Sequence, residues 1–337
     1  MLFQNEMGLY LTKEDGEKFL IPPDYQQTFH HEPRLNGAAR EYSLVKDFYK
    51  EDDDIQSVVL EVLKFLQWFV FGTKTQLEIL LGAKGINPDI LDKAIEMCVS
   101  SRILNYFTIS RYKMDEFPED AFPIYCLDHG AKVILNHFSN SDSVTWLFSD
   151  NIRSSVLVSK YLTTGMFYLH LLSGRGDGVT KFKPLADFAI GNGKDVRFSA
   201  AFQLAQNNGT GGMFMTQDFI LEVIRHDDIP VLWEDKAHRK IRPFFEYDYW
   251  KQYYESIPMM IFLVQNDQDA MSVAEIYHRA LSMENFRLLT DANMKNGMSK
   301  AIFYSYISPN PEISREKGLK KVRPKIFYDL ASSPSDS

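Results

Sequence analysis

From Ile55 onward the apolar residues keep one spacing through three segments and then change it, and this switch constrains the chain more than any other feature. Val58, Val59, Val62, Leu63, Leu66, Phe69 and Val70 recur every three or four residues, which places them on one stripe of a helix over residues 55–71. Gly72 ends that run. Thr73 then caps a short second helix over residues 74–81, closed by Gly82 and Gly85. Asn87-Pro88 opens a third helix, with Asn87 as N-cap and Pro88 at the first helical position, where a missing N–H costs nothing. Its apolar face carries Ile90, Leu91, Ala94, Ile95, Cys98 and Val99. The rhythm then becomes that of strands: residues 103–109, a charged loop over 111–120, a returning strand over 122–127, and a helix over 128–137. Three helices followed by a hairpin are the order of a winged helix-turn-helix, predicted here over residues 54–138 with the wing at 111–122.

Residues 1–53 read as a hairpin and a lead-in. Leu9-Tyr10-Leu11 and Phe19-Leu20-Ile21 flank the turn-rich Lys13-Glu14-Asp15-Gly16, Pro22-Pro23 ends it, and the stretch to Asp53 is polar and irregular. After residue 138 the pattern predicts a helix over 144–172, broken near Gly165, and a flexible Gly-rich turn over 173–178. Strands follow over 184–190, 196–204 and 219–226. Residues 233–255 read as helix, kinked at Pro243. A buried strand over 259–264, a helix over 268–281 and strands over 286–290 and 301–307 complete the series. The order α-β-β-β-α-β, extended by α-β-β, predicts a mixed-sheet α/β sandwich over residues 139–328, an order shared with the restriction-endonuclease-like fold. The fold class expected of the whole chain is α+β. The Ser/Asp/Pro tail at 329–337 reads as disordered.

The 337 residues carry 45% hydrophobic and 24% charged side chains, an ordinary globular balance for about two domains. The net charge of −8 weighs against strong, freely acting DNA binding, which draws on released counterions, but leaves room for a local basic patch. Arg315, Lys317, Lys320, Lys321, Arg323 and Lys325 form one, either as a contact surface or as a solvated tail. Cys98 and Cys126 stand in no CxxC or Cys/His cluster, so no zinc site is expected. No apolar run reaches the roughly 20 residues of a membrane span, and the first residues lack a signal-peptide pattern; the expected location is the cytoplasm, with no membrane partner.

A metal-dependent nuclease needs carboxylates converging on Mg²⁺ and usually a Lys beside the attacking water. Asp187 and Glu222 are the candidates, with Ile224 where Lys is wanted and Arg225 on the opposite strand face. Glu234-Asp235-Lys236 is a literal Glu-x-Lys, which serves only if residues 231–233 form a strand rather than the start of a helix. His226-Asp227-Asp228 fits a polar turn better than a metal site. Gly209-Thr210-Gly211-Gly212 lacks the Lys-Ser/Thr of a P-loop and reads as a hairpin turn. Tyr247, Tyr249, Trp250, Tyr253 and Tyr254 with Lys251 have the chemistry to stack on bases, but their spacing suits a packing face better.

The segment Thr73-Lys74-Thr75-Gln76-Leu77-Glu78-Ile79-Leu80-Leu81, supported by residues 94–104 and by Tyr125-Cys126-Leu127-Asp128-His129-Gly130-Ala131, resembles the replication-relaxation family of plasmids and conjugative elements. Phe219-Ile220-Leu221-Glu222-Val223-Ile224-Arg225 is similar to that family's apolar strand ending in Glu-x-Asp-Arg, and Lys240 and Tyr247 to the Lys and Tyr that follow. The resemblance spans residues 55–264. It implies a winged helix joined to a nuclease-like domain, and a DNA-binding accessory role in plasmid replication or conjugative DNA processing. The family's second acid falls at Ile224, which binds no metal, so the core is expected to be degenerate. No cofactor is then expected, Mg²⁺ entering only if the nuclease alternative holds. A third alternative is a protein-interaction scaffold, because Asp89, Asp92 and Glu96 outnumber Lys93 on the would-be recognition helix. Double-stranded DNA contacts are expected at Thr73, Lys74, Gln76, Ser100, Ser101, Arg102, Arg111, Tyr112 and Lys113, alongside protein partners in a replication or relaxation complex. The oligomeric state is left open, a dimer included.

Overall fold

The computed structural model describes residues 3–4, 10–11, 25–32, 41–111, 123–138, 146–175, 178–207, 214–225, 230–281, 285–295, 297–307 and 318–327. Contacts divide the chain into two units, Met1–Leu169 and His170–Ser337. The fold is α+β, and its larger sheet is mixed and seven-stranded.

In the first unit, β1 (Phe3–Gln4) pairs antiparallel with β2 (Tyr10–Leu11). The expected second hairpin arm at 19–21 lies outside the described residues. The lead-in is not irregular throughout: β3 (Tyr25–Phe29) and α1 (Glu41–Phe48) occupy part of it. Both depend on distant partners. β3 is the outer strand of a sheet, and its Phe29 ring sits 5.1 Å from Phe107 and 5.3 Å from Phe148. On α1, Phe48 is buried, 4.9 Å from the Phe138 ring.

Helix α2 (Asp53–Phe69) starts at Asp52, whose carboxylate accepts from the Asp54 N–H, and buries Ile55, Val58, Val59, Val62, Leu63, Phe65, Leu66 and Phe69. It stops at Val70, forced to φ 66°. Gly72 exchanges both backbone hydrogen bonds with Tyr125, at 3.0 and 2.8 Å. Helix α3 (Lys74–Ala83) follows, then a single 3₁₀ turn capped by Asn87, then α4 (Leu91–Ser100). Strands β4 (Leu104–Arg111) and β5 (Ile124–Leu127) pair antiparallel, giving the order β3-β4-β5. The hairpin tip, residues 112–122, lies outside the described residues. Helix α5 (His129–Phe138) buries Ala131, Ile134 and Leu135.

Helix α6 (Ser155–Arg175) corrects three expectations. It begins eleven residues later than the pattern suggested, runs unbroken through Gly165, and continues through Ser173-Gly174-Arg175. Gly165 is a packing device rather than a break: a Cβ there would lie 3.1 Å from the Phe65 ring. The N-terminal part of α6 belongs to the first unit. The Gln76 amide donates to the Leu162 carbonyl at 2.6 Å, and Tyr168 lies 5.2 Å from Phe69. The unit boundary therefore falls at Leu169, beyond the expected 138.

The second unit is built on β6 (Val179–Ala189), β7 (Asp195–Asn207) and β8 (Phe214–Val223), an antiparallel meander. The chain then forms α7 (Pro230–Lys236), a π turn over Ala237–Ile241, and α8 (Arg242–Glu246). Pro243 has no N–H to give, and the π turn takes up the register where the expected kink lies. Strand β9 (Met259–Val264) pairs parallel with β8. Helix α9 (Asp267–Leu281) leads to β10 (Phe286–Thr290), parallel to β9. After α10 (Asp291–Met294) come β11 (Phe303–Ile307) and β12 (Gly318–Val322), both antiparallel to their neighbours. Of the expected basic patch, Lys320 and Lys321 lie exposed in β12, while Arg315 and Lys317 lie outside the described residues. The sheet order is β6 through β12 in sequence. One face buries Ala186, Phe188, Phe198, Ile220, Ile224, Met260 and Phe262 in a core shared with Phe244 of α8 and Val273, Ala274 and Tyr277 of α9.

Candidate site around Glu222 and Lys236

Glu222 lies between Ile220 and Ile224 in strand alternation, so its side chain enters the helix-covered core. It is 3% exposed. A carboxylate there requires a partner, because desolvating an unpaired charge costs several kcal/mol. Lys236, at the C-terminal end of α7, supplies it: its ammonium donates to Glu222 Oε1 at 2.6 Å. The same ammonium lies 5.7 Å from the centre of the Phe198 ring. Glu222 Oε2 is buried with no hydrogen-bond partner among the described residues. The next strand, β7, contributes Phe198 and Ser199 beside Glu222, and Ser199 Oγ accepts from the Val223 N–H at 2.9 Å.

Asp187 does not join this pair. It alternates with Ala186 and Phe188, which face the core, so it projects from the other side of the sheet. There its cross-strand neighbour Arg197 grips it with two hydrogen bonds, 2.7 and 2.8 Å long. Those bonds hold the Asp187 carboxyl below the usual carboxylate range. Glu234 is exposed on α7, and residues 231–233 are helical, so the Glu-x-Lys triplet is not on a strand. Lys236 thus meets Glu222 rather than Glu234. Among the described residues, no three His, Cys, Asp or Glu side chains are grouped to share an ion. Residues 208–213 and 226–228, with the Gly-rich turn and the His-Asp-Asp triplet, lie outside them.

A second buried pair was missed in the sequence. Arg225, 1% exposed, donates to both carboxylate oxygens of Asp291, at 3.0 and 2.7 Å. Its signal was an arginine at the end of an apolar strand, which needs a buried acid but does not say which. Of the aromatic cluster, Trp250 is buried, Tyr253 and Tyr254 pack on Phe188, and Tyr247 is largely exposed. Tyr253 Oη accepts from the Ala189 N–H at 2.9 Å.

In the first unit, several expected DNA contacts are internal. Thr73 is 1% exposed and Gln76 is fully buried. Together they form a reciprocal cap, the Gln76 N–H donating to Thr73 Oγ1 and the Thr73 N–H to Gln76 Oε1. Arg102, at φ 57°, donates to buried Asp128 at 3.0 Å and to the Glu32 carbonyl. Lys74 is exposed but donates to Asp92 on α4. That hydrogen bond raises its pKa. Ser100 and Ser101 are exposed, the Arg111 backbone pairs with Tyr25, and Tyr112 and Lys113 lie outside the described residues. The outer surface of α4 and its capping turn keeps Asp89, Asp92 and Glu96 exposed. Cys98 and Cys126 are buried free thiols whose pKa values burial pushes up.

Comparison with family models, with curated proteins and with solved structures gives no match to this chain. Among the described residues no helix is long and apolar enough to cross a membrane.

Proposed function

We propose that this chain is a non-catalytic accessory protein of a DNA-processing assembly, in which a winged helix is joined to a restriction-endonuclease-like sandwich without nuclease chemistry. The observation that carries the reading is the buried Glu222–Lys236 pair, beside which the described residues of β7 are Phe198 and Ser199 and not the second carboxylate of a hydrolytic site. The order α6-β6-β7-β8-α7-β9, with β8 parallel to β9, supports the nuclease-like ancestry. The order α2, Gly72–Tyr125 bridge, α3, α4, β4, β5 supports the winged helix. The resemblance to the replication-relaxation family supplies the context, a mobile element and the cytoplasm. The test is incubation of the full chain with supercoiled and single-stranded DNA in Mg²⁺ or Mn²⁺. No cleavage is expected. Cleavage abolished in Glu222→Gln or Lys236→Met variants that remain folded refutes the reading and restores a metal-dependent nuclease.

The exposed acids of α4 favour a basic protein partner over DNA at the recognition helix, since phosphates and carboxylates repel. DNA, the second reading, is favoured by a different feature, the exposed Lys320 and Lys321 of β12 with Arg323 beside them. A gel-shift series over salt concentration separates the two. If DNA is held there, Lys320→Ala with Lys321→Ala weakens binding to all sequences and lowers the salt slope by about two. No shift of any duplex at low salt leaves the protein-partner reading.

A further inference from the structure

The turn between β6 and β7 carries a chemistry that the proposed function does not use. Ala189 pairs with Asp195, so Ile190 to Lys194 make the connection. Three residues in a row take a left-handed backbone there: Gly191 at φ 82°, Asn192 at φ 53° and Gly193 at φ 66°. The Ile190 N–H donates to the Lys194 carbonyl at 2.9 Å, and the Lys194 N–H to the Gly191 carbonyl at 3.0 Å. Those bonds close the turn without using the Gly193 N–H, which has no acceptor among the described residues. Asn192 and Gly193 are exposed, and a Cβ on Gly193 would meet nothing within 4 Å.

The amide carbon of an asparagine lies where the main-chain nitrogen of the next residue can reach it and close a five-membered ring. A side chain on that next residue crowds the approach, and a hydrogen bond from its N–H holds the nitrogen back. Neither obstacle stands at Asn192-Gly193. The sequence has further Asn-Gly pairs at 36–37, 208–209 and 296–297, of which the first two lie outside the described residues. At the last, the Gly297 N–H is engaged, donating to the Met294 carbonyl at 2.9 Å. Ring closure at Asn192 requires the turn to leave its left-handed conformation, and an exposed tip opens at little cost.

We propose that Asn192 is a site of self-modification, converted without an enzyme into a mixture of aspartate and isoaspartate. The Gly193 nitrogen attacks Asn192 Cγ. A bond forms between them, the Cγ–Nδ2 bond breaks, and the proton lost from the Gly193 nitrogen leaves with Nδ2 as ammonia. The cyclic imide then takes up one water. Opening at Cγ yields aspartate, and opening at the Asn192 main-chain carbonyl carbon yields isoaspartate, whose chain runs through the former side chain. Either product adds a carboxylate beside Asp195, and isoaspartate lengthens the turn by one carbon. Tyr249 Oη lies where a Gly191 Cβ would be, and Tyr253, whose Oη accepts from the Ala189 N–H, packs 4.9 Å from Phe188. A longer turn therefore reaches the aromatic layer over the sheet. The site is independent of the Glu222–Lys236 pair and of the proposed function.

The test holds the full chain warm in mildly alkaline buffer and follows each Asn-Gly by peptide mass mapping. Isoaspartate is read separately with a carboxyl methyltransferase specific for it. The same chain in urea gives the unfolded rate at every site. Asn192 in the folded chain is expected to react within about tenfold of its unfolded rate, while Asn296 is slowed more than about tenfold. Gly193→Ala is expected to slow conversion at position 192, and Asn192→Gln, whose ring would need six members, to stop it. Protection of Asn192 by more than about tenfold overturns the proposal, a result read on the unmodified chain and independent of how any variant folds. So does equal slowing at Asn192 and Asn296, or conversion that yields aspartate without isoaspartate, since that product bypasses the ring.

Discussion

Replacing Asp291 with Asn tests whether the second unit is held by its buried ion pair. Arg225 and Asp291 are 1% and 6% exposed, and the two hydrogen bonds between them are parallel. At 2.7 Å and an effective dielectric of about 20, two unit charges attract by about 6 kcal/mol, which offsets the cost of desolvating them. Asp291→Asn keeps the shape and removes one charge, leaving the guanidinium buried against an amide. The expected loss is about 3–5 kcal/mol. With an m-value of about 2 kcal/mol per M, the urea midpoint of the transition that reports this unit falls by about 1.5–2.5 M. Arg225→Met combined with Asp291→Leu removes both charges and is expected to recover most of the loss, because the cost arises from the unmatched charge. Circular dichroism and tryptophan fluorescence follow the transition, Trp233 and Trp250 both lying in this unit. A loss below about 1 kcal/mol for Asp291→Asn, or a double variant as unstable as the single one, refutes the reasoning.

Thr73→Ala removes a side-chain cap and is expected to cost about 1 kcal/mol in urea unfolding, whereas Gln76→Ala also strips the Leu162 carbonyl of its donor and costs about 2–3 kcal/mol. Gly191 holds φ 82° and any Cβ there meets Tyr249 Oη, so Gly191→Ala lowers the thermal midpoint, with a cost above about 1 kcal/mol. Because Arg197 holds Asp187 below the usual carboxylate range, the pair stabilises the fold above the unfolded pKa, near 3.9, and that contribution is lost as pH falls through the folded value. The carboxylate is about half exposed, so the stability difference from Asp187→Asn is at most about 0.5 kcal/mol at pH 7 and vanishes once the pH is below the lowered folded value.

Elements whose partners are close in the chain, or whose burial pattern is strong, were legible in the sequence. Residues 55–71, the Thr73 cap, Asn87-Pro88 and the apolar strand at 259–264 all announce themselves locally. β3 and α1 are less plain, because Phe29 stands among polar residues in Tyr25–Phe29 and α1 is only eight residues long, and each is held by a distant ring, Phe107 and Phe138. Gly165 and the Ser173-Gly174 pair misled for a related reason. Glycine lowers helix propensity, but close packing against Phe65 outweighs that loss. The candidate site was half legible. Glu222 and Lys236 stood out individually and Pro243 marked a kink, yet the π turn after Lys236 cannot be read from spacing. Asp187 was placed on the right sheet, but strand alternation turned it away. Thr73 and Gln76 carry the chemistry of phosphate contacts and spend it on each other, a use that the three-residue spacing of a capping box already contains.

The strict sequence order of the seven strands bears on how the chain emerges during synthesis. Each strand from β7 to β12 docks on the one made just before it, so none waits for a partner not yet synthesised. Contacts between sheet neighbours span one connection, and the longest of these, between β8 and β9, is spanned by α7, the π turn and α8. Sheets with such local pairing close their loops early and at low entropic cost. A nascent chain halted after any strand carries a continuous sheet with a single growing edge, and the exposed lysines of β12 occupy that edge last, where charge discourages pairing with another molecule.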